Sequence, residues 1–148
     1  MKAVKPTKAE VAAKFEAGFH CAHCSLSPWA DALGYDEEEL YRISGAFGGG
    51  MFRGDTCGGV SGSLMAIGIA CGGSDPEAIA LANQKTGEFQ KAFTERFGST
   101  ICRELIGYDM SIPGEHEKAD EAGVLMDRCP ELVSGAVEIL NEILADVE

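Results

Sequence analysis

Apolar residues fall at helical intervals almost from the start of the chain. Val11, Phe15 and Phe19 recur every four residues behind Thr7, and Glu10 stands three after Thr7, so the spacing predicts a helix opened by a capping box. Cys21 to Leu33 keeps a helical pattern up to Gly34, with Pro28 marking either a kink or the start of a new helix. Asp36 and Glu39 repeat the capping-box spacing. They predict a short acidic helix through Arg42, broken at Gly45 and the loop Gly48-Gly49-Gly50.

The next stretch, TCGGVSGSLMAIGIAC from Thr56 to Cys71, is apolar yet strewn with glycine, which lowers helix propensity by about 1 kcal/mol per residue relative to alanine. A helix there needs a packing reason. Gly58 and Gly62 share one face and Gly59 and Ser63 another, so a neighbouring backbone can come close to a central helix. Asp75-Pro76 caps and opens a long amphipathic helix with Ile79, Ala82, Phe89 and Phe93, closing near Gly98. Ser99 is placed to cap a short helix carrying Cys102. Asp109 to Gly123 is polar and contains Pro113-Gly114, and reads as an irregular connector. Pro130 is expected to open the last helix, in which Leu132, Val133, Val137, Leu140, Ile143 and Leu144 form a broad apolar stripe. No run alternates as a strand does, and no repeat or linker divides the chain. The pattern predicts an all-α fold: one compact helical bundle over residues 1–148, with a glycine-rich loop before a central helix.

Composition narrows the function classes. Hydrophobic residues at 45% and charged residues at 24% exclude a mainly disordered or fibrous chain. A net charge of −12 repels phosphate backbones and anionic lipid heads, which argues against a nucleic-acid partner. No apolar stretch reaches the ~20 residues of a membrane span. Met1 to Lys14 lacks the apolar core of a secretory signal, so a cytoplasmic location is expected.

Six cysteines change the picture, because in a reducing compartment they point to metal ligation or redox chemistry rather than structural disulfides. Cys21 and Cys24 form a C-x-x-C pair that a helix presents on one face. A helical pattern rather than a strand precedes it, against a thioredoxin-like fold, and no histidine directly follows Cys24 as c-type haem attachment requires. Cys57, Cys71, Cys102 and Cys129 are scattered, so any shared site must be assembled by the tertiary fold. Thiolates suit zinc or an iron–sulfur cluster, and their softness argues against magnesium or calcium. Cys24 and Cys71, taken singly, fit equally well as packed hydrophobes. Arg53, Arg103 and Arg128 lie close in sequence to Cys57, Cys102 and Cys129, where a cation lowers a thiol pKa. GGGMFRGDTCGG lacks both the Gly-Lys-Ser/Thr ending and the preceding strand of a phosphate loop. Its glycines let the backbone pass close to something bulky, with N–H groups free for cofactor sulfur or a small anion. Of the histidines, His20 and His23 are the candidates worth testing and His116 is not. Trp29, Tyr41 and Tyr108 read as core or interface aromatics.

Four segments together resemble the C_GCAxxG_C_C family of redox-active proteins, named for its cysteine pattern: GFHCA around Cys21, FGGGMFRGDTCGGVSG around Cys57, FGSTICRELIGYD around Cys102, and Cys129 followed by Pro130 and Leu132-Val133. Gly59 stands where the pattern has alanine, and His20 where asparagine is expected. The resemblance implies that Cys21, Cys57, Cys102 and Cys129 are the functional set and the metal ligands, with Cys24 and Cys71 outside it. A further similarity to the cluster-bearing part of split-Soret-type cytochromes implies iron–sulfur ahead of zinc, although no haem motif is present. The expectation is therefore a redox-active protein that holds a metal centre for electron transfer or redox sensing. Gly49, Gly50, Arg53 and Gly58 are expected around the cofactor, the sequence names no redox partner protein, and a homodimer is compatible with the glycine-bearing helix. The alternatives are a metal-free thiol–disulfide oxidoreductase working through Cys21, with Cys24 or a distant cysteine as partner, and a structural zinc domain.

Overall fold

Thr7 opens the first helix as its spacing requires: its hydroxyl accepts the Glu10 N–H at 3.1 Å, and the Glu10 carboxylate accepts the Thr7 N–H at 3.3 Å. In the computed structural model, which describes residues 1–148, this helix is α1 (Lys8–Glu16), and it is followed by eight more helices and no strand. Pro28 marks a change of geometry rather than a break. After α2 (Cys21–Leu26) the chain tightens into one 3-10 turn, Ser27–Trp29, and resumes as α3 (Ala30–Leu33), which ends at left-handed Gly34. Asp36 caps α4 (Glu37–Ser44) through the Glu38 N–H, without the reciprocal bond from Glu39. Asp75 caps α6 (Pro76–Phe97), its carboxylate accepting the Ala78 N–H at 3.0 Å.

Three expectations need correction. Ser99 does not cap α7 (Cys102–Ile106); its hydroxyl accepts the Ile101 N–H and donates to Glu104, each at 2.9 Å. The supposed connector contains α8 (Glu115–Glu121), bounded by left-handed Gly114 and Gly123. Finally, α9 (Val124–Ile143) begins before Pro130, which lies inside it. The missing proline N–H leaves the Met126 carbonyl without its helical donor.

The glycine faces of α5 (Gly58–Cys71) have the packing reason that their composition demands. A Cβ on Gly58 would collide with the Cys21 sulfur and lie 2.6 Å from the Ala22 nitrogen, and one on Gly62 would lie 2.8 Å from the Ala22 carbonyl oxygen. That face receives α2, and Ser25 locks the contact by donating to the Gly58 carbonyl at 2.8 Å. Gly59 faces α9, where an added Cβ would meet Leu132 and Ala136 at 3.5 and 3.6 Å. Around α5 the fully buried Leu26, Trp29, Ile67, Phe89, Phe93 and Leu140 form the core. No helix is long and apolar enough to cross a membrane.

One buried cation ties α6 to the end of α9. Lys85 donates to the Ile143 carbonyl at 3.0 Å and to Asp146 at 2.8 Å. The Asp146 bond raises the Lys85 pKa above its ordinary value of 10.5. A raised folded-state pKa contributes stability that is complete below the unfolded value and lost as pH rises through the folded one. Wild-type protein is therefore expected to lose melting temperature in strongly alkaline buffer by more than Lys85→Met does, with thermal scans at neutral and alkaline pH as the check.

Candidate functional site

Each of the four family-pattern cysteines sits where backbone geometry holds it. Cys21 is the first residue of α2, Cys57 caps α5, Cys102 is the first residue of α7, and Cys129 immediately precedes the proline inside α9. Cys57 and Cys102 are brought together by an isolated antiparallel bridge between Thr56 and Ile101. In it the Cys57 N–H donates to the Thr100 carbonyl at 2.8 Å and the Cys102 N–H to the Asp55 carbonyl at 2.6 Å. The bridge converts a long sequence separation into adjacency.

All four thiols line one cavity of about 260 Å³, together with Gly49, Gly58, His20 and apolar walls that include Phe15, Phe19, Ile106 and Leu132. Below Cys102 the chain makes a left-handed turn through Gly49, Gly50, Met51 and Phe52, with φ of 55, 63, 60 and 57°. Glycine is required at position 50, because a Cβ there would lie 2.5 Å from the Asp55 nitrogen and 2.8 Å from the Cys102 Cβ. Met51 and Phe52 hold the same strained conformation with bulky side chains, and Phe52 is 61% exposed.

Burial dominates the electrostatics. It raises the pKa of Cys21, lifts Cys57 well above the ordinary thiol range, pushes Cys102 up to about 12, and raises Cys129 as well. Charge on any one of the four is felt by others of the set, which adds to the shifts at Cys57, Cys102 and Cys129. Hydrogen bonding from the backbone of Gly49 and Gly58 opposes the rise at Cys21, and that of Gly59 opposes it at Cys57. Arg103 and Arg128 oppose it only as smaller influences, and no lysine or arginine lines the cavity. No three His, Cys, Asp or Glu side chains form a ready-made site for a single metal ion.

The other expected residues divide. Gly49 and Gly58 line the cavity, and Gly50 supports Cys102 from behind. Arg53 does not approach it: the side chain is 76% exposed and pairs with Asp55 at 3.7 Å. Arg103 is the arginine with a structural hold on this region, bonding the Gly54 carbonyl at 3.2 Å and Asp55 at 2.8 Å and so tying the left-handed turn to α7. Of the C-x-x-C pair only Cys21 lines the cavity; Cys24 belongs to a small apolar cluster with Val11 and Val133, against which Cys21 also packs. Cys71 is remote, at the far end of α5, where its thiol donates to the Ile67 carbonyl. His20 lines the cavity and contacts the Gly45 carbonyl at 3.1 Å, and burial lowers its pKa. His23 stacks behind it with ring centroids 3.7 Å apart. Two polar residues of α8 also line the cavity: His116, which was weighed and set aside, and Asp120, which was missed. Their i, i+4 spacing was the available signal, hidden by reading the segment as a loop.

No curated protein and no solved structure matches the chain. A family model does: it is described as "Putative redox-active protein (C_GCAxxG_C_C)" and matches residues 19–143, a span that holds all six cysteines and every element around the cavity except α1. The chain therefore belongs to the C_GCAxxG_C_C family of redox-active proteins.

Proposed function

We propose that Cys21, Cys57, Cys102 and Cys129 hold an iron–sulfur centre used for electron transfer or redox sensing. One observation carries the reading: thiols from four separated segments line a single cavity. The donor set fits such a group, being all-thiol and soft. With burial raising the thiol pKa values and no lysine or arginine in the wall, ionising the set calls for positive charge from bound metal. The same raised thiols count against a metal-free exchange enzyme, whose attacking thiol works best near ambient pH.

A bound centre of this kind supplies one-electron chemistry. The chain's own contribution is to fix three of the sulfurs at helix starts and that of Cys129 inside α9, to direct backbone N–H groups of Gly49, Gly58 and Gly59 at cysteine sulfur, and to exclude water with Phe15, Phe19 and Leu132. N–H bonds to sulfur stabilise the more negative, reduced state and raise the reduction potential.

Iron and acid-labile sulfide measured on anaerobically purified protein test the reading. Iron with matching sulfide is expected, and Cys57→Ser is expected to lose both together with the visible absorption. Wild-type protein free of iron and sulfide, or undiminished content in serine variants of all four cysteines, would overturn it. Zinc alone would transfer the site to a structural role.

A further inference from the structure

Cys24 is a buried thiol that the four-cysteine cavity leaves out. It stands three residues after Cys21 on the same helix, and both thiols border one small apolar cluster around Val11 and Val133. Helical geometry puts Cα atoms three residues apart at about 5 Å, inside the roughly 4.4–6.8 Å span that a disulfide bridges. Cys57, Cys102 and Cys129 sit on other elements, whereas Cys24 reaches Cys21 by side-chain rotation within one helix. Cys24 is not sealed off either, since it lines a second cavity of about 300 Å³ bordered by Lys14 and Ser27.

We propose that Cys24 is a resolving thiol for Cys21. When the metal-free site meets a low-molecular-weight disulfide, the two form an intrahelical disulfide that takes Cys21 out of the ligand set and leaves Cys57, Cys102 and Cys129 reduced. This rests on the metal-centre reading above. Cys21 gives its proton to solvent and its thiolate attacks one sulfur of the small disulfide RSSR. A Cys21–S–S–R bond forms and RS⁻ leaves, taking up a proton. Cys24 then loses its proton and attacks the Cys21 sulfur, the Cys21–Cys24 bond forms, and the second RS⁻ departs and is protonated. Two protein thiols are oxidised by two electrons in all, and RSSR is reduced to two RSH.

The test treats metal-free full-length protein with oxidised glutathione, alkylates the remaining thiols and maps the peptides. Free thiols are expected to fall from six to four, with a Cys21–Cys24 linkage. Iron and sulfide incorporation should be lost until a dithiol reductant restores it. In Cys24→Ser and Cys24→Ala, Cys21 should stop at the glutathione adduct. Pairing of Cys21 with Cys57, Cys102 or Cys129, or a glutathione adduct that persists on wild-type Cys21, would overturn the proposal. The wild-type map decides the matter even if neither variant folds. The map also needs no metal: a protein that never takes up iron overturns the cofactor reading, whereas a missing Cys21–Cys24 bond overturns this one.

Discussion

With the proposed centre bound in the wild type, Gly58→Ala is expected to empty the site, while the same substitution one residue later, Gly59→Ala, is expected to stabilise the fold. At position 58 the new methyl has no room, because the Cys21 sulfur and the Ala22 backbone nitrogen already occupy its place. Relief requires α2 to withdraw from α5. That strains the Ser25 bond to the Gly58 carbonyl and carries Cys21 away from its partners, at a cost of about 3 kcal/mol, the upper range for overpacking. At position 59 the methyl meets the Leu132 carbonyl oxygen, Ala136 and the Cys57 sulfur at ordinary contact distance, and because this is the second residue of α5 only part of the interior-helix gain in propensity, about 1 kcal/mol, is realised. The family pattern has alanine there, in agreement with the space. Urea titrations and metal content of the two variants read both effects. A Gly58→Ala protein with wild-type stability and a full site would show that the two helices are not held at this distance.

Phe93→Ala is expected to produce the largest loss of stability and the smallest change at the cysteines. Phe93 is fully buried on α6, with its ring 5.9 Å from that of Phe89 and 4.8 Å from that of Phe97. Truncating such a side chain costs about 4 kcal/mol in lost burial and residual cavity, a large share of the 5–15 kcal/mol typical of whole domains. Phe93 does not line the cysteine cavity, so the variant kept well below its melting temperature should retain the thiol count and cofactor content of the wild type. Together, Gly58→Ala and Phe93→Ala separate damage to the site from damage to the bundle. A Phe93→Ala protein that lost its centre while still folded would place the two in one cooperative unit.

Much of this was legible because it is written in local chemistry. Thr7 with Glu10, Asp75 with Pro76, and left-handed Gly34 and Gly98 mark helix ends through hydrogen bonds and dihedral preferences that operate over a few residues. The glycine faces of α5 were legible for a similar reason, since only close approach of a neighbour explains such a composition in a helix. Where periodicity carries no information, reading failed. In α8 only Ala119 is fully buried, so its polar sequence looks like a loop. In α9 the apolar stripe beyond Pro130 drew attention from the turns before it, although these supply Cys129 and part of the cavity wall. The cysteine set came through family pattern rather than spacing, because an antiparallel bridge between Thr56 and Ile101 leaves no periodic trace. Arg53 was misjudged on sequence proximity, because in the left-handed turn its side chain faces solvent.

The thiols also have an order in time. Cys21, Cys57 and Cys102 leave the ribosome before Cys129, and Cys129 is carried by the last helix, which packs on the Gly59 face of α5 and beside α2 and α6. Without α9 the pocket lacks Cys129 together with Leu125, Met126 and Leu132 of its wall. Anything bound by all four sulfurs is therefore sealed in only once α9 has docked.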